Sequence, residues 1–295
     1  MQNFLITGAS GTIGNIYLKN FSDKNNFYYV LLKKSKKNKK FKNLFKNKNI
    51  KFLFFQKDFE IFKLIKKIKI SFFINFATYY INNCNFKIAD RSIRSNILFP
   101  SLILESINKK YLKKVISFGT MVSHDRNKEY MPFNFYSATK EALKKIFFFY
   151  EIKNKKIKFY HIKVYETYNE YDKRKKILPT IKKNYKNNLT TSIISKKLNL
   201  NILHIDDVCR AVNILINKNI RAGEYQIKAK KFTNIKKLID KFNKNNVKKI
   251  KYIIKNNNKI FTINYNLKKL PYWKQTIDIE SNFNHLLNKN YENKI

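Results

Sequence analysis

Three of the chain's five glycines, Gly8, Gly11 and Gly14, fall within seven residues near its start, in Phe4-Leu-Ile-Thr-Gly-Ala-Ser-Gly-Thr-Ile-Gly14. The apolar run before them and the amphipathic stretch from Asn15 read as strand, tight loop and helix. A loop of this shape lets the backbone come close to a pyrophosphate, and the following helix N-terminus offers free N–H groups to the anion. The competing reading is a turn that needs only glycine's φ freedom. Strand–loop–helix context and the scarcity of glycine elsewhere favour the dinucleotide reading.

The rest of the composition narrows the class. With 295 residues and 44% hydrophobic content the chain has material for one large α/β domain, or a domain with a smaller lobe. No run of 18 apolar residues occurs, so no membrane span is expected. The first strand begins by Asn3, which leaves no room for a signal peptide, and a cytoplasmic location is expected. Cys84 and Cys209 show no metal-ligand spacing, and no metal is expected. A net charge of +44 points at first to nucleic acid, but only six of 63 basic residues are Arg. Lys, Asn, Ile and Phe are abundant along the whole length, as a general bias in residue supply would give. No specific nucleic-acid partner is expected, and the densest basic run, Lys33–Asn43, reads as a solvated loop.

Apolar runs at Phe27–Leu32, Ile50–Phe55, Phe72–Ala77, Val115–Phe118 and Ile157–Val164 read as buried strands. Helical spacing separates them, at Tyr17–Phe21, Phe59–Ile68, Asn96–Ile107 and Ala138–Glu151. Such alternation predicts a Rossmann-type doubly wound parallel sheet covered on both faces. We expect this domain over 1–165, with 201–222 returning to it, and a smaller substrate lobe from 166–200 and 223–295.

Tyr136-Ser-Ala-Thr-Lys140 follows the strand ending in Ser117-Phe-Gly-Thr120. Residues four apart share a helix face, and an ammonium near a phenol lowers its pKa toward use as an acid or base. The C-terminal edge of a parallel sheet is where ligands sit in such folds.

With these features the chain resembles the extended branch of the short-chain dehydrogenase/reductase superfamily, the NAD-dependent epimerase/dehydratase family, over most of residues 3–230. Thr7–Gly14 is similar to its cofactor loop and Tyr136-x-x-x-Lys140 to its catalytic pair. Further matches are Gln56-Lys-Asp58, Asn75-Phe-Ala-Thr78, Asn96, His204–Val208 with Ala211, and Gly223–Ile227. The resemblance implies that Tyr136 is the general acid/base, that Lys140 lowers its pKa and holds the cofactor ribose, and that Thr120 polarises the sugar oxygen. Cofactor contacts are implied for Gly8, Ser10, Gly11, Thr12, Ile13 and Gly14, for Asp58 and Phe59, and for Asn75, Ala77 and Asn96, beside Tyr136 and Lys140. Lys33 and Lys34 stand at the end of the second strand with no acid nearby, which favours NADP(H) over NAD(H). Substrate contacts are expected at Thr78, His124, Glu166 and Arg174.

Within the branch, Gly119–His124, Glu129–Pro132 and Phe135–Lys140 resemble nucleotide-sugar 4-ketoreductases such as CDP-abequose synthase. Dehydratases of the branch place an acidic pair after the threonine; here Met121 and Val122 move no proton. The usual Tyr-Gly-Pro turn is replaced by Tyr168-Asn-Glu170, and Glu166 stands where many members have asparagine. Keto reduction of a nucleotide-linked sugar is the leading expectation, and a 4-epimerase with tightly held NAD is the alternative. A catalytically idle dinucleotide-binding protein with non-specific polyanion binding is the alternative from another class. Members of the branch are often homodimers.

Overall fold

The computed structural model describes residues 1–80, 83–123, 131–255 and 266–289. The chain divides into two units: Met1–Val164, Cys209–Ile227 and Tyr265–Trp273 form the first, and Tyr165–Val208, Lys228–Asn264 and Lys274–Ile295 the second.

The first unit is built on strands β1 (Asn3–Thr7), β2 (Phe27–Lys33), β3 (Ile50–Phe55), β4 (Phe72–Asn75), β5 (Lys114–Thr120) and β6 (Lys158–Val164), closed by a late strand, Gly223–Ile227. Every neighbouring pair is parallel, and the order runs from the late strand through β6, β5, β4, β1 and β2 to β3. This is the doubly wound order, with the chain reversing direction of growth beside β1. Alternation of side chains sorts the two faces. Leu5, Phe73, Val115 and Phe159 lie in register across β1, β4, β5 and β6, all buried in one core cluster with Ile103, Leu104, Leu143 and Phe147. On the other face Phe4 stacks on Phe72 at 4.6 Å and on Tyr28 at 4.9 Å between centroids.

The helices of this unit are α1 (Thr12–Ile16), α2 (Lys36–Lys42), α3 (Phe59–Ile65), α4 (Phe86–Ile93), α5 (Phe99–Ser106) and α6 (Phe135–Lys153). Two differ from the sequence reading. The basic run is not all loop: Ser35 accepts the Asn38 N–H at 3.1 Å and starts α2 inside it. The helix read from Asn96 begins ten residues earlier as α4 and passes through a π-turn, Arg94–Leu98, into α5. A similar π-turn, Tyr17–Phe21, continues α1.

The second unit carries β7 (Glu166–Tyr168), β8 (Thr191–Ile193), β9 (Asn199–Leu200) and β10 (Ile202–His204), and α7 (Ile177–Lys186). Helix α8 (Ile205–Asn217) runs from it into the first unit, where the late strand is β11. The second unit then adds β12 (Thr233–Asn234), α9 (Ile235–Asn245), β13 (Tyr252–Ile254) and α10 (Ile279–Asn288). Its core joins Leu178, Ile181, Ile235, Leu238, Phe242, Phe283 and Leu286. Two placements depart from the expected boundaries. Gly223–Ile227 pairs with β6 as a strand of the large sheet rather than belonging to the lobe. Residues 202–204 pair with β7 and group with the second unit. Among the described residues no helix is long and apolar enough to cross a membrane.

Candidate active site

The glycine loop opens directly from β1. Gly8 has φ +69°, and a Cβ there would sit 2.3 Å from the Ala77 nitrogen, so glycine is required by both conformation and space. At Gly14 a Cβ would fall 2.6 Å from the Gly8 carbonyl oxygen, which is how the first turn of α1 comes so close to the loop. Gly11 donates its N–H to Gly8 O at 3.0 Å and caps α1. Ser10, Thr12 and Ile13 line this turn, partly exposed. At the end of β4, Asn75 is buried; its Oδ1 accepts from Thr7 Oγ1 at 2.7 Å and from Ala77 N–H at 3.2 Å, while its Nδ2 is buried without a partner among the described residues. That orphaned donor beside a backbone cradle no side chain can fill is the kind of surface a dinucleotide completes.

Lys33 ends β2 and Lys34 follows it, both exposed, and between them and α2 there is no acid. Asp58 and Phe59 are exposed at the start of α3; among the described residues Asp58 makes no side-chain capping bond, and Glu60 accepts the Gln56 N–H at 3.0 Å. Its carboxylate is therefore not spent on the helix.

Asn134 fixes where α6 begins. Its Oδ1 accepts the Ser137 N–H at 2.9 Å, and the Ser137 hydroxyl accepts the Asn134 N–H at 3.2 Å, a reciprocal cap that puts Tyr136 in the first turn. One turn on, Lys140 is 2% exposed and has no hydrogen bond or ion pair among the described residues. Burial lowers its ammonium pKa to about 8. Thr120 closes β5, its Oγ1 3.4 Å from the Val122 N–H. The next residue, Met121, is buried and offers no proton carrier.

Asn96 lies in the π-turn before α5 and is buried. Its Oδ1 accepts from Tyr79 N–H at 2.7 Å and from Thr78 Oγ1 at 3.4 Å; its Nδ2 donates to Tyr79 O at 3.1 Å and to Thr139 Oγ1 at 3.0 Å. Through these bonds Asn96 clamps the loop after β4 to α6. Thr78 is exposed within that clamped loop. His124 lies outside the described residues.

Sequence reasoning missed the charged cluster beneath α6. Glu141 ion-pairs with Lys144 and Lys163, each at 2.6 Å, and Glu224 meets the same two ammoniums at 3.1 and 3.3 Å. Burial pushes the Glu141 carboxyl up, but hydrogen bonds from Lys144 and Lys163 outweigh it and hold the pKa at about 2. His161, Glu141 and Glu224 approach one another closely, yet the two ammoniums already neutralise both carboxylates. His161 is held neutral chiefly by burial and then by the Lys140 charge. Its Nδ1 pairs with Ser117 Oγ at 2.8 Å, and its Nε2 would sit 2.2 Å from a Cβ at Gly119. Ser117 is thus spent on the sheet, which leaves Thr120 as the hydroxyl at the strand end. The Glu141–Lys144 spacing was visible in the sequence; its partners on β6 and β11 were not.

In the second unit Glu166 pairs with Lys176 at 2.9 Å, and Arg174 is bidentate on Asp172 and donates to Thr167 O at 3.0 Å. Each expected substrate residue there already has a protein partner. The altered turn has a physical replacement: Glu170 accepts from Asn169 at 3.0 Å, Asn282 at 2.9 Å and His204 Nε2 at 3.1 Å. The Asp206 N–H donates to His204 Nδ1, so Nε2 carries the proton. Burial raises the Glu170 carboxyl, and the His204 bond overrides it to about 2.

A doubly wound sheet with a glycine cradle, and a capped Tyr-x-x-x-Lys helix in the same unit, defines a dinucleotide-dependent class of enzyme fold. The NAD dependent epimerase/dehydratase family model matches residues 4–227, and the chain belongs to that family. No curated protein sequence gives a significant match. Among solved structures, the UDP-glucuronic acid 4-epimerase of Bacillus cereus, bound to UDP-glucuronic acid and NAD, superposes with a TM-score of 0.76 at 16% identity, covering 98% of each chain. MoeE5 with UDP-glucose and NAD gives 0.77 at 10% identity over 97% of each chain. The dTDP-glucose 4,6-dehydratase of Bacillus anthracis, with NAD, gives 0.74 at 16% identity over 97% of this chain and 96% of its own. These likenesses establish the shared fold.

Proposed function

We propose that the chain is a cytoplasmic NAD(P)-dependent oxidoreductase acting at C4 of a nucleotide-linked sugar, with Thr120, Tyr136 and Lys140 at the reacting carbon. Lys140 carries this reading: an ammonium buried to 2% exposure, unpaired among the described residues, one turn after Tyr136. An unpaired buried charge is costly, and such costs are kept where chemistry uses the charge.

When bound, the dinucleotide supplies or accepts a hydride at C4. Gly8, Gly11 and Gly14, with Ser10, Thr12 and Ile13, hold its pyrophosphate; Asp58 and Phe59 flank its adenine, and Asn75 and Ala77 its nicotinamide. Lys140 holds a ribose hydroxyl and favours the phenolate of Tyr136 by its charge. The Tyr136 phenol gives its proton to the sugar oxygen during reduction and takes it back during oxidation. Thr120 donates a hydrogen bond to the same oxygen.

Net 4-keto reduction, in the manner of 4-ketoreductases such as CDP-abequose synthase, is the first reading, because Met121 and Val122 offer dehydration no proton and β2 ends on cations. A second reading, 4-epimerisation, is favoured by the named epimerase of matching fold, which holds NAD and a UDP-sugar. Purified protein is expected to oxidise NADPH with nucleotide 4-keto-6-deoxy sugars, and Tyr136→Phe to lower that rate about 10²–10⁴-fold. Undiminished turnover in the variant overturns the mechanism. Interconversion of nucleotide sugars without net NADPH consumption selects the epimerase.

For the cofactor we put NADP(H) before NAD(H). Exchanging both Lys33 and Lys34 for Glu is expected to raise the NADPH dissociation constant about tenfold or more and to change that of NADH far less. Equal changes for the two, read by fluorescence titration, refute the 2′-phosphate assignment.

A further inference from the structure

The loop after β4 carries an aromatic ring to the proposed general acid. Tyr80 and Tyr136 meet edge to face, with centroids 5.1 Å apart and planes at 75°. Tyr80 nonetheless stays 51% exposed. An exposed aromatic is ordinary by itself; this one is held in place. Both backbone groups of the preceding residue, Tyr79, are fixed by the Asn96 amide, at 2.7 Å to the N–H and 3.1 Å to the carbonyl. The same amide donates to Thr139 Oγ1 at 3.0 Å, and Thr139 donates to the Tyr136 carbonyl at 2.8 Å. One buried side chain thereby ties the Tyr80 loop and the Tyr136 turn of α6 together.

We propose that Tyr80 is a further residue of the reacting site: its ring fixes the orientation of the Tyr136 phenol and presents an aromatic wall to the C–H face of the substrate's sugar ring. The proposal rests on the reading of Tyr136 as general acid at a sugar oxygen. A hexose is polar at its rim and apolar on its C–H faces, so a half-exposed ring beside the acid gives it a surface to pack on while the rim oxygen meets the phenol. The contribution is carried by the ring and not by the Tyr80 hydroxyl, so phenylalanine serves in its place.

The test compares wild type, Tyr80→Phe and Tyr80→Leu in steady-state kinetics with the nucleotide sugar, alongside fluorescence titration of the dinucleotide. Tyr80→Leu is expected to lose about tenfold in kcat/KM, with an unchanged dinucleotide dissociation constant, and Tyr80→Phe to stay within about twofold of wild type. A Leu variant as active as wild type overturns the proposal. So does a Phe variant as impaired as Leu, or a Leu variant that loses dinucleotide affinity to the same degree. Wild-type protein that turns over no nucleotide sugar overturns the underlying reading, and this proposal with it; an active wild type with an indifferent Tyr80 overturns this proposal alone.

Discussion

Lys140→Met is expected to abolish turnover and, at the same time, to make the protein more stable at pH 7. The two effects share one cause. Lys140 is buried without an ion pair among the described residues, and burial alone lowers its pKa to about 8. The unfolded chain binds the proton until about pH 10.4. Below pH 8 the native state therefore carries a charge it holds less well than water does, and the full penalty applies. Between pH 8 and about 10.4 the unfolded state binds more protons than the native state, so this group's contribution to stability rises with pH. Above that window both states are neutral. Methionine of similar length removes the penalty, worth at most about 3 kcal/mol for a shift of this size. Thermal melts of the cofactor-free protein should show the variant's advantage at pH 7 and its disappearance near pH 10.5. Activity should fall about 10²–10⁴-fold, because Tyr136 loses the charge that favours its phenolate. A variant that is destabilised at pH 7 contradicts the account, since it would mean the ammonium has a native partner that matters.

How much of this was legible in the sequence depends on whether the partners are near in the chain. The glycine loop could be read because all its geometry lies within seven residues. Tyr136 and Lys140 could be paired because a helix sets their spacing, and the Asn134–Ser137 cap that starts the helix is equally local. The parallel sheet followed from the alternation of apolar runs with helical spacing, apart from its strand Gly223–Ile227, which the reading gave to the lobe. Contacts that depend on strand order were out of reach. Lys163 reaches Glu141 only because β6 lies under α6, and Glu224 joins them only because β11 pairs with β6. The resemblance singled out Asn96; its amide contacts, to the Tyr79 backbone, Thr78 and Thr139, also depend on how the helices pack and were not legible. Tyr80 gave no signal, being one of 19 tyrosines, until β4 and α6 were placed side by side. The basic run was taken for loop on charge alone, and a single serine cap makes part of it helix.

The glycines themselves are expected to separate cofactor binding from folding. At Gly14 an added Cβ meets the Gly8 carbonyl oxygen at 2.6 Å and the Ala9 Cα at 2.8 Å. Both are backbone atoms, so the loop or α1 must move, at about 1–3 kcal/mol for overpacking of this kind. That movement displaces the N–H groups facing the proposed pyrophosphate, and Gly14→Ala is expected to weaken dinucleotide binding by at least about tenfold. Gly8→Ala adds positive-φ strain to a 2.3 Å contact and should be worse in both stability and binding. Among the described residues a Cβ at Gly11 meets only the Gly8 oxygen, at 3.1 Å, and its φ is −82°, so Gly11→Ala should be the mildest of the three. Gly223 is the control. Its φ is +142° but a Cβ there meets nothing within 4 Å among the described residues, so Gly223→Ala should lose about 1–3 kcal/mol of stability to backbone strain. Its dinucleotide affinity should stay that of wild type. Fluorescence titration and thermal melts on the four variants therefore give two different orders, one for binding and one for stability. If binding loss simply follows stability loss, Gly223→Ala included, the loop does not grip the dinucleotide, and Gly8, Gly11 and Gly14 are only the turn that joins β1 to α1.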